Sequence, residues 1–379
     1  MIHNTSHYDV IVIGVGGMGS ATAYHLAGRG RRVLGLDRFS IPHMMGSSHG
    51  YTRIIRLAYY EHPSYVPLLK RAYELWRELQ AHAGESLLHI TGSLDAGPAD
   101  DWIFKGSLKS CEQHGLPHEV LTNGEITRRY PGYQLPEETM AVFQPNGGFL
   151  VPERCIIAHV NAAQARGAEI HGCEPVAGWE PVGDLIKVTT GKAVYTADQI
   201  VITAGAWAGK MAGVLEPHLT PERQVLAWLQ PKRPEWFQPD RFPVFNLTVP
   251  EGRFYGFPVY GIPGFKFGCF HHLEEAVDPD DFDRMSNARD EALLRDFAER
   301  HFPDGAGPTM SLLTCMFTNT SDENFILDVH PECPQVFVAS PCSGHGFKFC
   351  SVVGEIMADL LLDGQTRHDI DLHRLSRLG

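Results

Sequence analysis

The sequence predicts an α/β protein with a second, α+β part built on a mostly antiparallel sheet. Three observations predict it. The first is a strand, a glycine-rich turn, a helix and a second strand ending at Asp37. The second is a change of texture over 217–263, rich in proline and aromatic residues as short strands and turns are. The third is a second glycine-rich turn, Ser343–Phe347, between a short strand and a helix near the C-terminus. A length of 379 residues favours two domains. With 43% hydrophobic and 20% charged residues the chain can bury a large core.

Each element follows from its residues. Tyr8–Ile13 is apolar and β-branched, so it reads as a buried strand, and Ala21, Tyr24, His25 and Leu26 lay one helix face on it. Arg31–Leu36 is the second strand. Ser64–Ala81 carries a helical stripe of Val66, Leu69, Tyr73, Trp76 and Leu79, and helices are expected over Asp100–His114, Pro152–Arg166, Arg289–Arg300 and Ser351–Leu362. The glycine- and proline-rich Tyr130–Pro152 reads as a connection between domains. Strands are expected over Lys187–Ala197, Gln199–Thr203 and Val336–Ala339.

Composition excludes several classes. The 32 Lys+Arg against 45 Asp+Glu leave a net charge of −13, which repels the nucleic-acid backbone and acidic membranes. No apolar run is long enough to span a membrane, and the polar opening residues lack a signal-peptide pattern, so a cytoplasmic protein is expected. The eight cysteines are scattered without a disulfide framework, and no short Cys or His spacing fits a metal site.

The first turn carries chemistry. Gly14 lets the chain leave the strand sharply, Gly16 lets backbone approach a pyrophosphate, and Gly19 lets the helix pack closely on the sheet. The helix N-terminus offers N–H groups to phosphates, and Asp37, 18 residues beyond Gly19, is placed to bind a ribose. A bare GxGxxG would arise by chance about 0.4 times in so glycine-rich a chain, so the strand, helix and acid around it are what carry the reading. The pattern is that of a Rossmann-like dinucleotide site. FAD is favoured over NAD because the chain returns to the site late, at Ala204-Gly205 and at Gly344–Gly346, as a ring held by distant segments requires.

Four blocks carry a resemblance over nearly the whole chain: the Gly14–Gly19 turn, Gly46–Arg56 (GSSHGYTRIIR), Cys315–Asp328 (CMFTNTSDENFILD) and Ser343–Lys348 (SGHGFK). The chain resembles the monomeric sarcosine oxidase and N-methyltryptophan oxidase family, which includes pipecolate oxidases. The resemblance implies a Rossmann-like FAD-binding domain (1–85, 150–217 and 318–379) and a substrate domain (86–149 and 218–317). It implies a monomer that oxidises a small secondary amine carrying a carboxylate and passes the electrons to O2. It implies FAD bound covalently through Cys315, with Ser48, His49, Gly205, Gly344 and Gly346 around the cofactor. Arg56 and Lys348 match the residues holding the substrate carboxylate, and a buried carboxylate needs such cations. Lys266 matches an oxygen-activating lysine, Tyr255 an active-site tyrosine and Arg53 an arginine at the flavin edge.

The chain departs from that pattern in three places. The family sets its lysine and a substrate-side histidine four residues apart, whereas His271 follows Lys266 by five. Either a residue bulges out, or Lys266 points elsewhere, or, anchored on His271-His272, Phe267 takes the lysine's place. Phe317 stands where the family has Tyr, and Pro341-Cys342 replaces Gly-Phe. These changes point to a substrate other than sarcosine, larger or more apolar. An amine dehydrogenase passing electrons to another acceptor is the alternative, and a non-catalytic flavoprotein a further one.

Overall fold

A computed structural model describes residues 6–340 and 343–379, so the Pro341-Cys342 departure lies outside the described residues. The strand Ser6–Ile13 runs parallel to Val33–Leu36 on one side and to Val194–Ile202 on the other. Glu169–His171 extends the sheet past Val33–Leu36, and Cys333–Ser340 extends it past the far half of Val194–Ile202. All these contacts are parallel, and Ile326–His330 adds an antiparallel edge. Side chains alternate across the sheet: Val10 and Val12 pack under the helices Gly17–Gly28, Pro152–Gln164 and Cys350–Asp363, while Ile11 and Ile13 face the segment around Ala208–Leu219.

A second sheet of eight strands runs in the order 309–319, 220–229, 265–269, 252–257, 244–249, 93–98, 139–144, 119–122. Only Val244–Val249 and Ser93–Pro98 pair in parallel, so the expected mostly antiparallel sheet is present. One face is an aromatic core: Phe245, Phe254, Phe265 and Phe267 pack with Phe297 of the helix Ala288–His301. That helix starts on a capping box, Asn287 with Asp290.

Two expectations need correction. Tyr130–Pro152 is not a bare connection: Thr139–Gln144 joins the second sheet, and Gly148–Leu150 pairs with Arg53–Ile55 and Leu88–Ile90 in a small third one. Its strands are three to six residues long, too short for a periodicity to stand out among turns. The expected strand over 187–197 is broken at Gly191-Lys192, and its second half continues without interruption to Ile202.

Candidate functional site: a dinucleotide cavity joined to a cation-lined cavity

Gly14 leaves the first strand at φ +94°, and a Cβ there would sit 2.7 Å from the Thr203 carbonyl oxygen. At Gly19 a Cβ would fall 1.8 Å from the Gly14 oxygen, so helix and turn touch through the missing side chain. A Cβ on Gly16 would meet only Ser48 Oγ, at 4.0 Å, which leaves that backbone open to a ligand. Asp37 Oδ2 accepts from the Val15 N–H at 2.8 Å and Oδ1 from the Phe39 N–H at 2.9 Å. These two bonds fix the carboxylate while lone pairs remain for a ribose.

These groups open into a cavity of about 420 Å³. Gly14, Gly16, Asp37, Ser48, Arg53, Gly205, Phe317, Gly344 and Gly346 line it, from segments that the sequence holds hundreds of residues apart. An open glycine cradle, a helix N-terminus and an anchored acid fit the pyrophosphate and ribose of a dinucleotide. His49 is not in the lining: it is fully buried behind it, with Nε2 3.0 Å from the Gly46 oxygen. Burial, and then Arg53, push its pKa down to about 3, so it is neutral.

Strand register brings the remaining groups to one face of the second sheet. Lys266 lies opposite Phe257 and Trp228, Tyr255 opposite Asn246 and Gly268, and Cys315 opposite Gln224. Because side chains alternate, these share the face turned away from the aromatic core. Cys315 is buried, with Sγ 3.5 Å from Arg53 Nη2 and 3.8 Å from the Ser47 oxygen, next to the cavity walls Met316 and Phe317. Lys266 is buried and donates to Gly50 O, Thr52 O and Thr52 Oγ1, each at 2.8 Å. Those acceptors match the three N–H of an ammonium, while burial and Arg53 push its pKa well below the ordinary value.

The Lys266 spacing thereby resolves. The strand Phe265–Cys269 pairs regularly, without a bulge, and Phe267 points into the aromatic core, so Phe267 does not take the lysine's place. The position four after Lys266 is Phe270. The chain leaves the strand there, and His271 adopts φ +54° and turns away. Its Nδ1 lies 2.8 Å from Glu222 Oε2 and its Nε2 3.2 Å from Glu323 Oε1. Bonding to Glu222, then to Glu323, lifts its pKa to about 9. His271 lines neither cavity, and Phe270 occupies the wall expected for the histidine.

A second, smaller cavity shares Arg53, Phe317, Gly344 and Phe347 with the first. Arg56, Lys348, Tyr255, Phe257 and Phe270 line it. Glu61 in its wall and Asp95 buried behind it are two acids that the sequence did not single out. Glu61 holds the buried Arg56 with two bonds of 2.8 and 3.0 Å, and Asp95 lies 3.6 Å from Arg56 Nε. Burial pushes the Arg56 pKa down, but Glu61 and then Asp95 lift it well above the ordinary value. Burial would raise the Glu61 pKa, yet Arg56, His345 and Lys348 hold it low. Lys348 Nζ donates to the His345 oxygen at 2.7 Å, and burial, followed by Arg56, lowers its pKa to about 7. The sequence signal for Glu61 was its place five residues after Arg56, within reach of a turning chain.

Comparison with known proteins agrees with this geometry. Residues 9–360 match the family model described as DAO, FAD dependent oxidoreductase. The chain is 43% identical to a monomeric sarcosine oxidase of Streptomyces avermitilis, over 98% of each chain. It is 35% identical to an N-methyl-L-tryptophan oxidase of Yersinia pestis, over 98% of this chain and 99% of that one. The solved structure of NikD, an amino acid oxidase essential for nikkomycin biosynthesis, superposes with a TM-score of 0.84 at 26% identity, covering 98% of both chains. The glycine cradle, the anchored Asp37 and the match along almost the whole length agree: the chain belongs to the FAD-dependent oxidoreductases of the DAO family.

Proposed function

We propose that the protein oxidises a secondary amine acid, an N-methyl amino acid or cyclic imino acid of the kind represented by sarcosine, N-methyltryptophan or pipecolate, with O2 as final acceptor and hydrogen peroxide as product. The observation that carries this reading is the shared wall: a dinucleotide cavity and a cavity holding Arg56 and Lys348 meet at Arg53, Phe317, Gly344 and Phe347. The names of the sarcosine and N-methyltryptophan oxidases support it.

FAD in the larger cavity would supply a two-electron acceptor, held by Gly14, Gly16, Asp37, Ser48, Gly205, Gly344 and Gly346, with Gly19 seating the helix behind it and the Cys315 sulfur as its covalent anchor. The chain's own residues do the rest. Arg56 and Lys348 hold the substrate carboxylate once Glu61 gives up the guanidinium fork. A carboxylate beside Lys348 draws a proton onto its Nζ. The cations Arg53, Arg56 and Lys348 disfavour a protonated amine nearby, so the nitrogen keeps the lone pair that oxidation of its neighbouring carbon requires. Tyr255, Phe257, Phe270 and Phe317 exclude water from the reacting end. Lys266, whose pKa burial lowers, takes up a proton as negative charge develops on O2 and so favours that charge. His271 has no role in the pocket.

Residues 1–85, 150–217 and 318–379 form the FAD-binding domain in this reading and 86–149 with 218–317 the substrate domain, in a monomer. Thiols without disulfide partners, such as Cys111, Cys155 and Cys269, suit a reducing cytoplasm. No helix among the described residues is long and apolar enough to cross a membrane.

The test is anaerobic bleaching of the bound flavin by N-methyl and cyclic imino acids, followed by peroxide release on admitting air. Bleaching with dye reduction but no peroxide would mark a dehydrogenase and overturn the oxidase reading. Acid-precipitated protein is expected to stay yellow, and Cys315→Ala to release its colour to the supernatant. A colourless wild-type pellet would refute the covalent anchor.

A further inference from the structure

The strand Gly252–Phe257 carries one more side chain on the face that bears Tyr255 and Phe257. Arg253 stands two residues before Tyr255, on the same face and about 7 Å further along the strand. Its guanidinium lies 4.0 Å from the centroid of the Phe270 ring and 5.2 Å from that of Trp102. Phe270 and Tyr60 are walls of the smaller cavity, and Trp102, 44% exposed, packs edge-on against Tyr60 at 4.8 Å. Arg253 therefore stands half-buried at the outer rim of the proposed substrate site.

Among the described residues no hydrogen bond and no ion pair reaches the Arg253 guanidinium, whose backbone oxygen accepts from the Phe270 N–H at 2.8 Å. Glu323, which lies in its field, is committed to His271 at 3.2 Å. Two aromatic rings thus hold the guanidinium in place while its five N–H donors stay unused. A positioned, half-buried cation with no bonded counter-ion is a ready anion site, and a planar fork suits a carboxylate. Glu61 and Asp95 already offset the charge of Arg56, whereas no acid bonds to the Arg253 guanidinium.

We infer that Arg253 is a specificity-determining residue that binds a second anionic group, so that the preferred substrate is a secondary amine acid whose side chain ends in a carboxylate. This rests on the function proposed above. With the α-carboxylate on Arg56 and Lys348, a side chain running outward along Tyr255 and Phe270 reaches Arg253.

The test compares N-methyl-L-glutamate with its neutral isostere N-methyl-L-glutamine in anaerobic flavin reduction by the holoenzyme. Wild type is expected to favour the charged substrate at least about tenfold in kred/Kd, as a charge-assisted hydrogen bond supplies. Added salt should shrink that preference. Arg253→Gln should lose the charged substrate about tenfold more than the neutral one, and Arg253→Lys should retain part of the preference. Equal rates for the two substrates with wild type would overturn the inference, and so would equal losses in the variant, which mark general steering or a structural role. If neutral N-methyl amino acids reduce the flavin without a charged preference, only this inference falls. If no secondary amine acid reduces it, the functional reading falls as well.

Discussion

At Arg56 one acid of the chain, Glu61 at 2.8 Å, already stands where the proposed substrate carboxylate would go, and Asp95 lies behind the wall at 3.6 Å. Binding is then an exchange of one carboxylate for another, and its free energy is only the difference between them. Glu61→Gln replaces the resident anion by a neutral amide, so a simple carboxylate such as acetate should bind about tenfold tighter, measured by perturbation of the flavin spectrum. An unchanged Kd would show that Glu61 does not compete. Lys348 adds a pH dependence of known sign. Burial lowers its pKa to about 7, and a bound anion raises it, so binding takes up a proton. Acetate affinity should rise as pH falls through about 7, and Lys348→Met should flatten that profile.

At the scale of elements, register does most of the positioning. Cys315, Lys266 and Tyr255 come from three strands and share a face because each has the same parity in its pairing. The helix Gly17–Gly28 is set by a contact with no side chain. Gly19→Ala would drive a Cβ into the Gly14 oxygen, so it should lower stability by about 2 kcal/mol or more and abolish FAD retention, read by thermal unfolding and by absorbance. The end of the strand Phe265–Cys269 is tied down by His271 between Glu222 and Glu323. Its folded pKa, about 9, exceeds the ordinary 6.5. That stabilisation is therefore full below pH 6.5 and lost as pH rises through about 9. Thermal midpoints should fall across that window in wild type and less steeply in His271→Gln.

At the scale of the molecule, the two large sheets meet across the dinucleotide cavity, and charged side chains join them. Asp280, on the segment after Glu275, accepts from Arg38 Nη1 at 2.6 Å, from Lys210 Nζ at 2.7 Å and from Trp207 Nε1 at 2.8 Å. All four residues line the cavity, close to the anchored Asp37. Lys210 also pairs with Asp278. Each ion pair is partly exposed and weak alone, but two of them and the Trp207 N–H converge on one carboxylate. Asp280→Ala, made in a Cys315→Ala background that removes the proposed covalent anchor, should raise the Kd for FAD by roughly threefold to tenfold. Titration of apoprotein followed by protein fluorescence checks it, and an unchanged Kd would remove the clasp from the account.

The dinucleotide turn was legible in the sequence because its chemistry is contiguous. Gly14, Gly16, Gly19 and Asp37 act through backbone geometry within one strand–helix–strand unit, and the missing Cβ at Gly19 is as plain in the string as in the fold. The long amphipathic helices were legible for the same local reason, their periodicity. The antiparallel texture after residue 217 followed from proline and aromatic content. Short strands such as Gly148–Leu150 were not legible, because three residues show no period. Nor was the substrate wall. Whether Phe270 or His271 faces the cavity depends on where a strand stops pairing, and a one-residue shift of that point exchanges an aromatic wall for a histidine. Asp95 beside Arg56 and the unpaired guanidinium of Arg253 were hidden for a related reason: a charge's partner is set by distance in three dimensions, over strands and loops that sequence spacing does not order. The sequence by itself determined the nucleotide cradle and its family, since local backbone chemistry dictates both. Tertiary structure alone decided which acids, cations and rings surround the substrate, since strand register and loop closure bring them together.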